Sequence, residues 1–147
     1  MRKPPLPPVY FLSALACMGI LHYTVPITRW ITWPTKAFGI VVILVGFGLA
    51  MYAHTQCRRA NTTVMPNELS SALVTDGIFG FTRNPMYLGM VFVLFGIWIC
   101  LGTLSPVFVV PIFIWFMTKL ICIEEASLKE QFGQVYQSYF GCVRRWI

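Results

Sequence analysis

Charge is scarce in this sequence. Of its 147 residues, 11% are Asp, Glu, Lys or Arg and 57% are hydrophobic, where an ordinary globular domain carries roughly 25% charged residues. So little polar side chain cannot cover a water-soluble surface, which excludes a soluble fold and points to an integral membrane protein. Acidic groups are rarest: Asp and Glu number five in all, too few for an acidic disordered tail. Ten prolines and eleven glycines are scattered without a period, which excludes collagen-like or linker-type low complexity. The five cysteines are widely spaced, with Cys17, Cys100 and Cys122 in apolar runs and Cys57 and Cys142 in basic stretches. Neither a disulfide framework nor a metal spacing emerges. His22 and His54 lie too far apart to form a paired ligand face, so no metal is expected.

What is abundant is apolar sequence. Four stretches stand out, near residues 9–25, 38–53, 86–101 and 107–123. At 1.5 Å per residue each reaches roughly 24 to 26 Å, enough to cross a hydrocarbon core once flanking residues snorkel. They are apolar all round, without the polar stripe of a soluble amphipathic helix. The expected fold is therefore all-α and membrane-integral: one domain over residues 1–147 with four transmembrane helices, a cytoplasmic loop and an interfacial C-terminal helix. Arg2 and Lys3 precede the first run as in a signal peptide, but the apolar run continues past Cys17, so it is expected to stay as a span.

The net charge of +6 would suggest nucleic acid in a soluble domain. In a membrane chain it sets orientation, and no nucleic-acid partner is expected. With both termini inside, Arg2, Lys3, Arg58, Arg59, Arg83, Lys129, Arg144 and Arg145 face the cytoplasm, against Arg29 and Lys36 outside. This is the positive-inside pattern. The expected location is an integral membrane one, the bacterial inner membrane, in contact with its lipids.

Two cytoplasmic stretches hold the remaining polar chemistry. Asn84-Pro85 opens the third span, where Asn can cap a helix and Pro suits its first position. Capping alone leaves Arg83, Tyr87 and Gly89 around them unexplained. Glu124-Glu125 ends the fourth span and faces the same boundary if the short connection from Leu101 to Pro106 makes the last two spans antiparallel. Carboxylates at the hydrocarbon edge need partners or a cationic ligand, and Arg83 and Lys119 are candidates. A polar stop at the helix end is the plainer reading of the pair. Arg83 and Glu125 are the residues expected to act in catalysis, with Arg83 steering a cofactor carboxylate or pairing with Glu125. In the tail, Leu128, Phe132, Val135, Tyr136, Tyr139 and Phe140 recur at helical spacing. They predict a helix on the membrane surface, finished by Arg144, Arg145 and Trp146 at headgroup level.

Three motifs follow in order: Leu73-Val74-Thr75-x-Gly77-x-Phe79, then Arg83-Asn84-Pro85-Met86-Tyr87-x-Gly89, then Glu124-Glu125-x-x-Leu128 with Phe132-Gly133, Tyr136 and Tyr139. Together they resemble the isoprenylcysteine carboxyl methyltransferase and phospholipid methyltransferase superfamily, from about Thr62 to the C-terminus. The resemblance implies a membrane enzyme that takes a methyl group from S-adenosyl-L-methionine at the cytoplasmic face, with the cofactor region in 62–89 and 119–147. It places cofactor contacts on Ser71, Ala72, Leu73, Val74, Phe79, Asn84, Pro85, Met86, Tyr87 and Glu124. The cofactor has an adenine ring, a ribose diol, a sulfonium and an amino-acid head, which suit backbone or aromatic contacts, a carboxylate, a π-face and opposite charges. The isoprenylcysteine enzymes usually have His at Asn84 and Arg at Leu120, and related bacterial sequences often carry Arg or Lys at Gly80. Asn84-Pro85-Met86-Tyr87 is similar to the phospholipid methyltransferase version.

The implied acceptor is a lipophilic or amphiphilic small molecule: a phospholipid amine, a prenylcysteine carboxylate or a small lipophilic thiol. Two other functions fit a chain of this class. A nicotinamide-dependent membrane reductase of related architecture would need a basic cluster for a 2′-phosphate, which is not evident. A non-enzymatic four-helix transporter or assembly subunit, if it moved charged substrates, would tend to carry an ionisable group deep within a span, and the one candidate is Lys119, a turn from the interface. The spacing gives no oligomeric state: Gly39, Gly46 and Gly48 are not a Gly-x-x-x-Gly pair, and internal packing is the expected use.

The charge distribution makes a topological prediction. A membrane-impermeant thiol reagent should label neither Cys57 nor Cys142 from outside intact cells, but should reach the cytoplasmic side in inverted vesicles. Labelling of either from outside would reverse the orientation.

Overall fold

In a computed structural model of the chain, residues 6–28, 33–62 and 71–147 are described. Among these the structure is entirely helical: α1 Pro7–Thr24, α2 Thr35–Arg59, a short 3-10 turn Gly77–Gly80, α3 Pro85–Leu101, a second such turn Ser105–Phe108, and α4 Val109–Cys142. The four helices cover the four expected apolar stretches. By length and composition two segments suffice to cross a membrane, Thr35–Arg59 and Ser105–Cys142, while α3 is an apolar helix of shorter length. Arg2, Lys3 and Arg29 of the charge count, and residues 63–70 of the expected cofactor region, lie outside the described residues.

Two boundaries differ from the sequence expectation. α2 runs past Ala53 to Arg59, and its last turn carries Arg58 and Arg59, cations favoured at the negative end of a helix. α4 does not stop at the Glu pair. Glu, Ala, Leu, Lys and Gln are good helix formers, so nothing between Glu124 and Phe132 ends the helix. The break comes at Gly133, with φ 53° and ψ −123°, a conformation that costs glycine little and other residues much. The C-terminal helix is thus a second leg of α4, from Gln134 to Cys142.

The main core gathers side chains from α1, α3 and α4, with Met18, Leu94, Met117 and Ile121 fully buried and Trp98 and Phe113 beside them. The turn after α3 is stitched to the end of α1: Trp98 Nε1 donates to the Thr103 carbonyl at 2.9 Å, His22 Nδ1 lies 2.8 Å from Thr103 Oγ1, and Ser105 Oγ donates to the Leu21 carbonyl at 3.3 Å. These contacts fix the depth of α3 relative to α4, and with it the depth of the motif at the far end of α3.

α2 and α3 meet backbone to backbone. A Cβ on Gly89 would lie 2.5 Å from the Gly46 carbonyl oxygen, and one on Gly96 would lie 2.6 Å from the Gly39 carbonyl oxygen. The two pairs sit one heptad apart on each helix and run antiparallel, so small residues let the helices approach closely, as in membrane bundles. Gly48 has nothing within 4 Å of its would-be Cβ. The outer face of α2 is bare, with Phe38, Val41, Leu44, Val45 and Phe47 all exposed, a contiguous apolar surface suited to lipid rather than water.

Cys57 is buried against Ala53 and Phe79, whereas Cys142 is exposed. Cys142 is therefore the useful reporter in the labelling experiment.

The glycine contact predicts an asymmetry within α2 and α3. Gly89→Val should destabilise the protein by about 1–3 kcal/mol, the usual cost of forcing atoms into a filled contact. Gly48→Ala should leave the melting temperature in detergent unchanged. Equal melting of both variants would mean that the helices are not held by this contact.

Candidate functional site

The site is built where the start of α3, the middle of α4 and the C-terminal residues converge. Pro85 is the first residue of α3 and Asn84 precedes it. The Asn84 side chain makes no cap hydrogen bond, contrary to the simplest expectation for that position. Its Nδ2 donates instead to the Arg145 carbonyl at 3.1 Å, and Thr82 Oγ1 donates to the same carbonyl at 3.2 Å. The Arg83 amide donates to the Arg144 carbonyl at 3.0 Å. Trp146 Nε1 reaches Thr118 Oγ1 at 3.3 Å. The last residues of the chain thus lie as a strap between α3 and α4.

Glu125 is the centre of the cluster. It is buried, and a buried carboxylate is costly unless charges and donors surround it. Arg83 Nη2 lies 3.0 Å from Glu125 Oε1. Arg145 Nε donates to Oε1 at 3.2 Å and Arg145 Nη2 to Oε2 at 2.6 Å, the two-pronged geometry that only a guanidinium provides. Arg83 is itself held on three sides: its Nη1 donates to the Phe140 carbonyl at 3.2 Å, and its Cζ lies 3.9 Å from the Phe140 ring centroid, within cation–π range. Arg83 Nε is left buried without a hydrogen-bond partner.

Glu124 faces elsewhere, as the 100° step between helix neighbours requires. The Tyr87 hydroxyl donates to Glu124 Oε1 at 2.5 Å, which ties the α3 motif to the α4 motif. Tyr87 is buried and Glu124 half-buried.

The second leg of α4 closes over the loop before α3. Tyr139 hydroxyl donates to the Phe79 carbonyl at 2.7 Å, and Tyr136 packs edge-on against Tyr139 with ring centroids 6.1 Å apart. Burial, then the neighbouring Glu125 charge, pushes the Tyr136 phenol up to about 12. Burial also raises Tyr139, with Tyr136 adding to it. Both therefore stay protonated donors at neutral pH. The bond to Glu125 raises Arg145 above its ordinary range.

The remaining expected residues fall into two groups. Val74, Phe79 and Met86 share a second apolar cluster with Ala53 and Cys57. Ser71 and Ala72 bond back to the end of α2, Ser71 Oγ to the Asn61 carbonyl at 2.6 Å and the Ala72 amide to Thr62 Oγ1 at 3.3 Å, away from the Glu125 cluster. Leu73 is partly buried. Lys119, expected as a partner of the Glu pair, sits over the Trp115 ring at 5.7 Å.

Sequence reading placed Tyr139 in the third motif without a partner and missed three further contributors, Arg145 as a ligand of Glu125, Thr82 and Gln56. Arg145, assigned to the headgroups, is the second cation on Glu125. Thr82 and Tyr139 bind the strap and the loop. Gln56, in the last turns of α2, accepts from the Ile78 amide at 3.3 Å and donates to the Asp76 carbonyl at 3.5 Å, so it sets the loop that presents Phe79. No sequence signal separates Arg145 from Arg144, or Gln56 from any polar residue at a helix end.

A family model described as phospholipid methyltransferase matches residues 34–135, more than half of the chain. The Protein-S-isoprenylcysteine O-methyltransferase of Schizosaccharomyces pombe is 35% identical over 68 residues, covering 46% of this chain and 29% of that one. The solved structure of a eukaryotic intramembrane Ras methyltransferase, isoprenylcysteine carboxyl methyltransferase, superposes with a TM-score of 0.71 at 26% identity, covering 95% of this chain and 51% of that one. The chain thus spans about half the length of that structure and less of the curated relative.

The double hold on Glu125 predicts what Arg83→Lys does. An ammonium can keep the charge but not the simultaneous contacts to Glu125, the Phe140 carbonyl and the Phe140 ring. The variant should lose roughly 1.5–3 kcal/mol of stability, the range for a hydrogen bond to a charged group, read as a lower melting temperature. If melting and methyl-donor binding both stay at wild-type level in a native lipid mixture, Arg83 merely meets headgroups.

Proposed function

Because the chain belongs to the phospholipid methyltransferase family, we propose that it transfers a methyl group from S-adenosyl-L-methionine to a lipophilic or amphiphilic acceptor at the cytoplasmic face of a bacterial inner membrane. The observation that carries this reading is the bond from Tyr87 to Glu124. It brings the Asn84-Pro85-Met86-Tyr87 segment and the first Glu of the pair to one point at the membrane boundary.

The residues there fit the donor. Tyr87 occupies Glu124 Oε1, which leaves Oε2 to accept from a ribose diol. Arg83 Nε is a buried donor without a partner, and an incoming carboxylate would satisfy it, since an orphaned buried donor is costly. Val74, Phe79 and Met86 offer apolar surface to an adenine ring. When bound, the cofactor supplies an activated methyl group on a sulfonium.

What the protein must do is hold nucleophile and methyl group in line and keep water out, a task of positioning rather than of covalent catalysis. Glu124 and Tyr87 orient the donor and Arg83 Nε would hold its carboxylate, while Glu125, locked to Arg83 and Arg145, acts as a positioning residue that keeps Asn84 at fixed distance from α4. The Tyr136 and Tyr139 leg covers the loop on the aqueous side. On the membrane side, the buried Leu120 presents no guanidinium for an acceptor carboxylate, which favours an acceptor recognised through its apolar part and an amine or thiol.

Glu124→Gln keeps shape and removes charge. It should weaken S-adenosyl-L-methionine binding by about 1.5–3 kcal/mol, as for a lost charge-assisted hydrogen bond, measured by calorimetry on protein in detergent. Unchanged affinity would reduce Glu124 to a polar stop at the end of the apolar stretch.

A further inference from the structure

The bend at Gly133 leaves a cavity of about 240 Å³ between the two legs of α4, lined by Cys122, Glu125, Ala126 and Lys129 on one side, Tyr136, Gln137 and Phe140 on the other, and Arg145. Cys122, Glu125, Ala126 and Lys129 recur at helical spacing, so they form one stripe. That stripe is not the face of α4 from which Glu124 meets Tyr87 of α3.

Three features of this cavity select its occupant. The first is charge. Both oxygens of Glu125 are taken up by Arg83 and Arg145, and the two guanidiniums outweigh it. Lys129 takes part in neither ion pair and adds a further cation at the wall, and among the described residues no second carboxylate lines the cavity. The second is depth. Cys122 belongs to the last turn of the apolar stretch, and Lys129 stands roughly 10 Å further along the axis at 1.5 Å per residue. The cavity therefore crosses the hydrocarbon edge into the headgroup layer. The third is continuity. Below Cys122 the outer surface of α4 carries the exposed side chains of Trp115 and Phe116, with Lys119 over the Trp115 ring, an aromatic track that leads up to the cations and carries one cation of its own.

We propose that this cavity binds the phosphate headgroup of an anionic membrane lipid, with Lys129 and Arg145 on the phosphate and the acyl chain along Trp115 and Phe116. The cavity adjoins the proposed methyl-transfer centre and shares the wall residue Glu125 with it, while Lys129 and the track below Cys122 lie outside that centre. Arg145 joins cavity and centre, because the guanidinium that grips Glu125 also lines the lipid cavity.

The test uses the full chain, delipidated in mild detergent and titrated separately with phosphatidylglycerol, phosphatidylcholine and inorganic phosphate, with bound lipid counted by native mass spectrometry. Lys129→Gln is the probe variant, since Lys129 is exposed on a helix surface and outside the proposed centre. Arg58→Gln, which removes an exposed cation on α2, is the control. The wild type should hold phosphatidylglycerol in preference to phosphatidylcholine. Lys129→Gln should lose about tenfold in phosphatidylglycerol affinity, the scale of one charge-assisted contact, and should keep its affinity for S-adenosyl-L-methionine. Arg58→Gln should change neither. The proposal fails if Lys129→Gln and wild type hold phosphatidylglycerol equally, if Arg58→Gln loses as much, if phosphatidylcholine binds as well, or if inorganic phosphate alone displaces the lipid.

Discussion

A carboxylate held between two guanidiniums is the constraint around which this site is arranged. Glu125 sits in the middle of α4 with little access to water, a position an isolated charge could not keep. Arg83 arrives from the residue before the α3 motif, and Arg145 from near the chain end. Each cation is anchored a second time through its neighbourhood: Arg83 by the Phe140 carbonyl and ring, Arg145 by the hydrogen bonds that its own carbonyl accepts from Thr82 and Asn84. Removing Glu125 strands the buried Arg83 without a counter-charge, and removing Arg145 leaves Glu125 Oε2 without its donor. The order of the last residues is therefore tied to the order of the motif.

That cluster has to be brought to the right depth, and the helix packing does this with small residues. Gly39 against Gly96 and Gly46 against Gly89 bring the α2 and α3 backbones together, while the stitched turn around Thr103 and His22 fixes the opposite end of α3. In a membrane, where apolar side chains gain little from leaving lipid, close backbone approach of this kind is a main source of specificity. Gln56 then carries the same register into the loop, since α2 runs on to Arg59 and places its amide beside Ile78 and Asp76. The site residues contributed by the loop and by α3 are thus referenced to one rigid helix pair.

The segment matched by the family model contains both Tyr87 and Glu124, and the structure pairs them. Neighbouring glutamates on one helix face different partners: Glu124 meets Tyr87 of the α3 motif through one oxygen, while both oxygens of Glu125 are taken up by guanidiniums. This division follows from the helical step alone, given that α3 lies on one side of α4 and the strap on the other.

The sequence by itself determined the class. Scarce charge and four apolar stretches left no soluble alternative, and the ordered motifs identified the superfamily and named Arg83, Tyr87, Glu124 and Glu125. Such features are local: composition, period and spacing survive without knowledge of what touches what. The assignment of partners was decided only in three dimensions. The sequence offered Lys119 to the Glu pair and Arg145 to the headgroups, yet Lys119 lies over Trp115 and Arg145 grips Glu125 from twenty positions away, because the bend at Gly133 and the C-terminal strap return the chain to its own helix. Asn84 read as a cap and became a link to the strap for the same reason. Long-range pairing depends on where the chain turns back. Here that turn rests on one glycine in a left-handed conformation, whose geometry the linear pattern of an amphipathic tail did not reveal.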